Sequence, residues 1–234
     1  PPNLRRLALV VGQEFSGEDL PMTLKTLTLS DFMYVHDLPE GLESLKLTSL
    51  PVPGKPLRLS SMPSSLTFAE LDCLSISMFV LGSLPQTLKT LKFKSNDIGA
   101  EDEDWPSWLP AGLETFHFTG TVHRATPQHL PRALKRFEVV AMTTKWYTFS
   151  SEQFKDLPPA LTFFKAPLTD FDPAHLTALP AGLRHLQLSH YAYRGDAPHL
   201  TLRPEHFDTL NLLRVCLLDF LILNQDQALP MLRS

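Results

Sequence analysis

Cysteine is nearly absent, with only Cys73 and Cys216 in 234 residues. That excludes a disulfide framework and fits a reducing, cytoplasmic compartment. Charge of one sign is also scarce: Lys and Arg total 21 against 25 Asp and Glu, a formal net charge of −4. A protein held to nucleic acid by its overall charge would be strongly basic, so nucleic acid is not expected as a partner. No stretch approaches 18 uninterrupted apolar residues, and the opening PPNLRRLALVVG is not laid out as a signal sequence, so no membrane association is expected. The ten glycines are too scattered for a phosphate loop, and no serine stands in a nucleophile-elbow frame. Nor do the nine histidines show zinc-ligand spacing beside cysteines or carboxylates. These absences point to no catalytic residue, no metal and no cofactor, and an enzyme is not expected.

Leucine and proline recur together instead. Ten times the chain reads Leu-x-x-Leu-x-Leu or a close variant, and in eight copies a proline precedes the first leucine by three residues. Leu24, Leu27 and Leu29 follow Pro21; Leu42, Leu45 and Leu47 follow Pro39; Leu88, Leu91 and Phe93 follow Pro85. The frame returns at Leu113, Phe116 and Phe118, at Leu134, Phe137 and Val139, at Leu161 and Phe164, and at Leu183, Leu186 and Leu188. It opens the chain at Leu4, Leu7 and Leu9. Two copies are out of frame: Leu71, Leu74 and Ile76 are read as the fourth unit, eight residues after Pro63, and the tenth, at Leu210, Leu213 and Val215, has no proline.

Self-similarity at this spacing predicts a solenoid in which each unit buries its apolar edge only against its neighbours. The period-2 alternation predicts a short strand in each unit, and equal spacing stacks those strands into a parallel sheet. Proline fixes the turn into each strand. The return path is expected to be extended in the first half. In the second half, one-turn helix signals stand at Thr126–His129, at Ser150 with Gln153 as a capping box, at Asp172–Leu176 and at Arg203–Phe207. Residues 1–234 read as one domain of about ten units, and the chain is expected to be a fragment of a longer one.

These units resemble leucine-rich repeats, and the Leu-Pro-x-x-Leu-x-x-Leu-x-Leu form is most similar to the short type found in bacterial effector proteins, some of which also carry a ubiquitin-ligase domain. The resemblance implies a curved parallel sheet on a concave face, extended segments and short helical turns on the convex face, and, for a secreted effector, residence in the host cytosol.

Alternation also predicts which residues face the open side of that sheet. The central column reads Ala8, Thr28, Lys46, Ser75, Lys92, His117, Glu138, Lys165, Gln187 and Arg214, flanked by residues that include Arg6, Cys73, Arg136, Phe163 and His185, and by Ser77 and Lys94. Seven Lys or Arg meet a single Glu138, and a wall of one sign favours an acidic ligand. The stretch Glu101–Trp108 sets four carboxylates beside Trp105 and Trp108, which either anchor an interface or fold inward. The candidate partner-binding set is therefore Arg6, Lys46, Lys92, Lys94, His117, Arg136, Lys165, His185, Arg214, Trp105 and Trp108. The function expected is a non-enzymatic interaction scaffold for an acidic protein surface or peptide. Its rivals are the substrate-recognition part of a larger ligase-type effector and a structural subunit of a large assembly.

Overall fold

Eight of the described coils begin at a proline. The carbonyls of Pro21, Pro39, Pro63, Pro85, Pro110, Pro131, Pro158 and Pro180 each accept the N–H of the leucine three residues on, at 2.9 to 3.2 Å, closing a β-turn. The next two N–H groups both donate back to one carbonyl of the preceding coil: Lys25 and Thr26 to Arg5, Glu43 and Ser44 to Lys25, and so on to Arg184 and His185 on Thr162. The chain thus locks onto the previous coil just before its strand starts.

The computed structural model describes residues 3–12, 14–32, 34–48, 58–59, 61–72, 84–95, 108–120, 127–141, 149–170, 173–190 and 212–217. Its strands are β1 (Arg6–Val10), β2 (Glu14–Ser16), β3 (Thr26–Ser30), β4 (Tyr34–His36), β5 (Ser44–Thr48), β6 (Arg58–Leu59) and β7 (Phe68–Asp72). They continue as β8 (Thr90–Ser95), β9 (Thr115–Gly120), β10 (Arg136–Ala141), β11 (Phe149–Ser150), β12 (Phe163–Asp170), β13 (His185–His190) and β14 (Leu212–Leu217). The long sheet runs β1-β3-β5-β7-β8-β9-β10-β12-β13-β14, with β11 pairing β12 off this path, and its pairs are parallel. A second parallel sheet, β2-β4-β6, covers the return path of the first coils. The architecture is a β-solenoid.

The return path changes character along the array, as its sequence suggests. Extended segments serve the first coils, and 3-10 turns at Pro127–His129, Ser151–Asp156 and Pro173–Ala178 serve later ones. Ser150 caps the second of these in a capping box with Gln153. The signal at 203–207 lies outside the described residues. Among the described residues no helix is long and apolar enough to cross a membrane.

One strand differs from its sequence reading. The fourth coil turns at Pro63 and Leu66, so Leu66, Ala69 and Leu71 point inward and β7 ends at Asp72. Leu74 and Ile76 were expected in that strand, but Ala69 fills the place of its middle leucine. Residues 73–83, Cys73 among them, lie outside the described set, and Cys216 belongs to β14.

Inside, each column of the repeat becomes a continuous apolar seam. One seam passes from Leu45 and Ala69 through Leu91 to Phe116, Phe137 and Phe164, all buried. The three rings are stacked at 5.9 and 5.8 Å between centroids and nearly parallel, while Phe149 and Phe154 meet Phe164 edge-on from the return side. Offset and edge contacts of this kind add to the burial term. Phe137→Ala should therefore cost about 3–5 kcal/mol in urea unfolding, and Gln128→Ala, exposed in a return turn, should stay within about 0.5 kcal/mol.

In these eight proline turns the position before the leucine is small: Thr23, Gly41, Ser65, Thr87, Gly112, Ala133, Ala160 and Gly182. A Cβ on Gly41 would stand 2.7 Å from the Met22 carbonyl oxygen, whereas one on Gly182 would find nothing closer than the Leu161 oxygen at 4.0 Å. Gly41→Ala should lower the thermal midpoint because the clash is with backbone. Gly182→Ala should raise stability by about 0.4–1 kcal/mol through the entropy of the unfolded chain.

Candidate functional site

The core occupies one face of the long sheet, and alternate strand residues stand on the other. Register lines them into columns across the coils. The central column is Ala8, Thr28, Lys46, Glu70, Lys92, His117, Glu138, Lys165, Gln187 and Arg214. Nine of these ten positions match the sequence reading. The tenth is a correction: Phe68, Glu70 and Asp72 stand where Cys73, Ser75 and Ser77 were expected.

That correction changes the electrostatics of the face. Glu70 sits between Lys46 at 3.3 Å and Lys92 at 3.9 Å, and Asp72 accepts from Lys94 at 3.0 Å. These lysines, expected on a face where Glu138 was the single acid, are interleaved with acids instead. All are about half exposed, so each pair stabilises by less than about 1 kcal/mol. Lys46 and Lys92 also hang over the Phe68 ring, at 5.7 and 5.8 Å from its centroid. Basic residues still outnumber acidic ones on the described strands of the long sheet: Arg6, Lys46, Lys92, Lys94, Arg136, Lys165 and Arg214 against Glu70, Asp72, Glu138 and Asp170.

The densest cluster lies farther along, across β9, β10, β12 and β13. Glu138 is 9% exposed, and its Oε1 accepts from Lys165 Nζ at 2.9 Å. Its Oε2 accepts from Arg136 Nη2 at 3.0 Å and lies 3.2 Å from His117 Nδ1. His117 Nε2 meets the Thr119 hydroxyl at 3.0 Å. The Arg136 guanidinium lies 3.5 Å from the centroid of Phe163, and that ring stacks on His185 at 4.3 Å and 9°. Burial alone would raise the Glu138 carboxyl; hydrogen bonds from Lys165 and Arg136, with the charges of His117 and Lys165, outweigh it and bring it from 4.5 to about 2.

The remaining candidates divide. Arg6 is exposed on the first coil, and Arg214 takes its expected backbone place beside Gln187. Trp108 is a correction to the exposed-anchor reading: it packs against the core, edge-on to Phe93 and Phe116 at 6.2 and 6.3 Å. Burying a large ring gains more there than in water. Trp105 lies outside the described residues. Among those residues no group of three or more His, Cys, Asp or Glu gathers as a metal set. Ser151 Oγ meets His175 Nδ1 at 2.9 Å, but Ser151 is only 1% exposed, so the pair links successive return turns and presents no hydroxyl to solvent.

No family model matches this chain, and no curated protein or solved structure does so either.

The Glu138 cluster has a consequence for stability. Its carboxyl is lower in the folded state than in the unfolded one, so the stabilisation is complete above about pH 4.5 and is lost as pH falls toward 2. The contribution is on the order of 2 kcal/mol, held down by the solvent that reaches Arg136. Urea midpoints measured from pH 6 to pH 2.5 should fall less steeply for Glu138→Gln than for the wild type, and the two curves should converge at the acid end.

Proposed function

We propose that this chain is a non-enzymatic, leucine-rich-repeat-type scaffold that binds an acidic protein surface or peptide on the open face of its long sheet. The observation that carries this reading is the registered face itself. Ten parallel strands present side chains in columns at a spacing of about 4.8 Å, with basic groups in excess, in a chain whose formal charge is −4. A segregated excess of one sign attracts the opposite sign and speeds its approach. The acids interleaved among the lysines add register: a partner gains most where its own carboxylates avoid Glu70, Asp72 and Glu138. The leucine-rich-repeat reading rests on the Leu-Pro-x-x-Leu frame and on the change from extended to 3-10 return segments. A second reading, a subunit of a larger assembly, is favoured by the exposed Leu9, Val10 and Met22 on the first coils.

The test is kinetic. With a partner captured on the intact array, Lys46→Glu together with Lys92→Glu should cut the association rate by about tenfold, and the wild-type rate should fall as salt shortens the steering range to about 8 Å. The two reversals set carboxylates on either side of Glu70, so the thermal midpoint should fall modestly, and rates are compared at a temperature where thermal melts show both proteins folded. An association rate untouched by both changes would refute the reading.

A further inference from the structure

The Glu138 cluster and the Phe68 patch look alike in composition and differ in order. At Phe68 two lysines share Glu70 at 3.3 and 3.9 Å, both about half exposed point charges on flexible stems. At Glu138 the cations are held. The Arg136 guanidinium lies 3.5 Å from the Phe163 ring centroid, a second contact beside its hydrogen bond to Glu138. Lys165 is only 27% exposed and lies 2.9 Å from Glu138 Oε1.

The donors of this cluster are only partly used. A guanidinium carries five N–H groups and an ammonium three. Among the described residues Arg136 donates once, to Glu138 Oε2, and Lys165 once, to Glu138 Oε1. One carboxylate therefore serves Arg136, Lys165 and His117 together. The cluster keeps an excess of positive charge and unused donors on a partly exposed guanidinium, beside the stacked rings of Phe163 and His185.

We infer that Arg136, Lys165 and His117 form a carboxylate-binding subsite for the acidic partner, and that Glu138 is a built-in competitor that sets its affinity. This rests on the acidic-partner reading of the face. The occupant is an Asp or Glu side chain of an extended acidic segment, bound by the same cations that Glu138 engages from within the sheet. Arg136 has its Phe163 contact besides Glu138, so removing the Glu138 charge should remove repulsion without dispersing the site.

The test is fluorescence anisotropy of the full chain with a fluorescein-labelled dodecapeptide of aspartate, glutamate and glycine, beside its asparagine–glutamine–glycine counterpart. The wild type should prefer the acidic peptide, the more so at low salt. Glu138→Gln should bind it about fivefold more tightly because the internal competitor is neutralised. Arg136→Lys, which keeps the charge but loses the planar fork and its stacking, should bind about fivefold more weakly. Thermal melts of each variant accompany the titrations. A folded Glu138→Gln with equal or weaker affinity overturns the inference, and where that variant does not fold, wild-type affinity in Arg136→Lys does so alone. A wild type that prefers the acidic peptide without responding to either change loses the subsite but keeps the acidic-partner reading. A wild type with no preference loses both.

Discussion

A coil of this protein cannot bury its own apolar edge. Leu24, Leu27 and Leu29 would face water in isolation, and they become buried only because the coils on either side lie against them. Everything else follows from making that contact repeatable. The proline turn brings the chain back at one height, the paired N–H groups fasten it to a single carbonyl of the previous coil, and the strand then continues in register. A shift of one residue would turn every leucine outward, so register is enforced at each coil by the core itself.

Strict register governs the surface as well. Parallel in-register strands place equivalent side chains next to each other, so like charges in one column would meet at short range and destabilise the sheet. The columns avoid this. Lys46, Glu70 and Lys92 alternate in the central column, as do Lys25 with Glu43 and Lys89, Glu114 and Lys135 at the turn-to-strand junction. Hydrogen bonding from Lys135 lowers the Glu114 carboxyl accordingly. Charge on this face is patterned first by the demands of stacking, and the net excess is what remains for a partner.

The solenoid and most of its inward residues were legible in sequence because one residue type at fixed spacing carries the signal. The fourth coil was not, since Met62, Pro63, Ser64, Ser65 and Leu66 hold the frame while Ala69 stands where a leucine was sought. The missed cue was the turn: a small residue precedes the first leucine in all eight proline turns, and Ser65 satisfies it. The cost of that slip was chemical more than architectural. It hid Phe68, Glu70 and Asp72 and left Glu138 as the single acid on the face. The stack of Arg136, Phe163 and His185 was beyond sequence reasoning for another reason. Its members occupy one column on three strands, but whether a guanidinium lies flat on a ring depends on rotamers, and alternation does not fix those.

The strands beneath the Glu138 cluster also carry the stacked aromatic part of the interior seam. Phe116, Phe137 and Phe164 stack under β9, β10 and β12, and their immediate neighbours in sequence include His117, Arg136, Glu138, Phe163 and Lys165 on the outer face. Interiors packed to crystal-like density are hard to compress and hold backbone positions closely. Swapping leucine for phenylalanine at these three coils therefore does more than fill volume. It fixes the spacing of the strands from which Arg136 and Lys165 reach one carboxylate, and a rigidly spaced pair of cations loses less conformational freedom on meeting an anion than the half-exposed lysines around Phe68 would. The position of the aromatic seam inside the sheet thus bears directly on which part of the outer face is best prepared to bind.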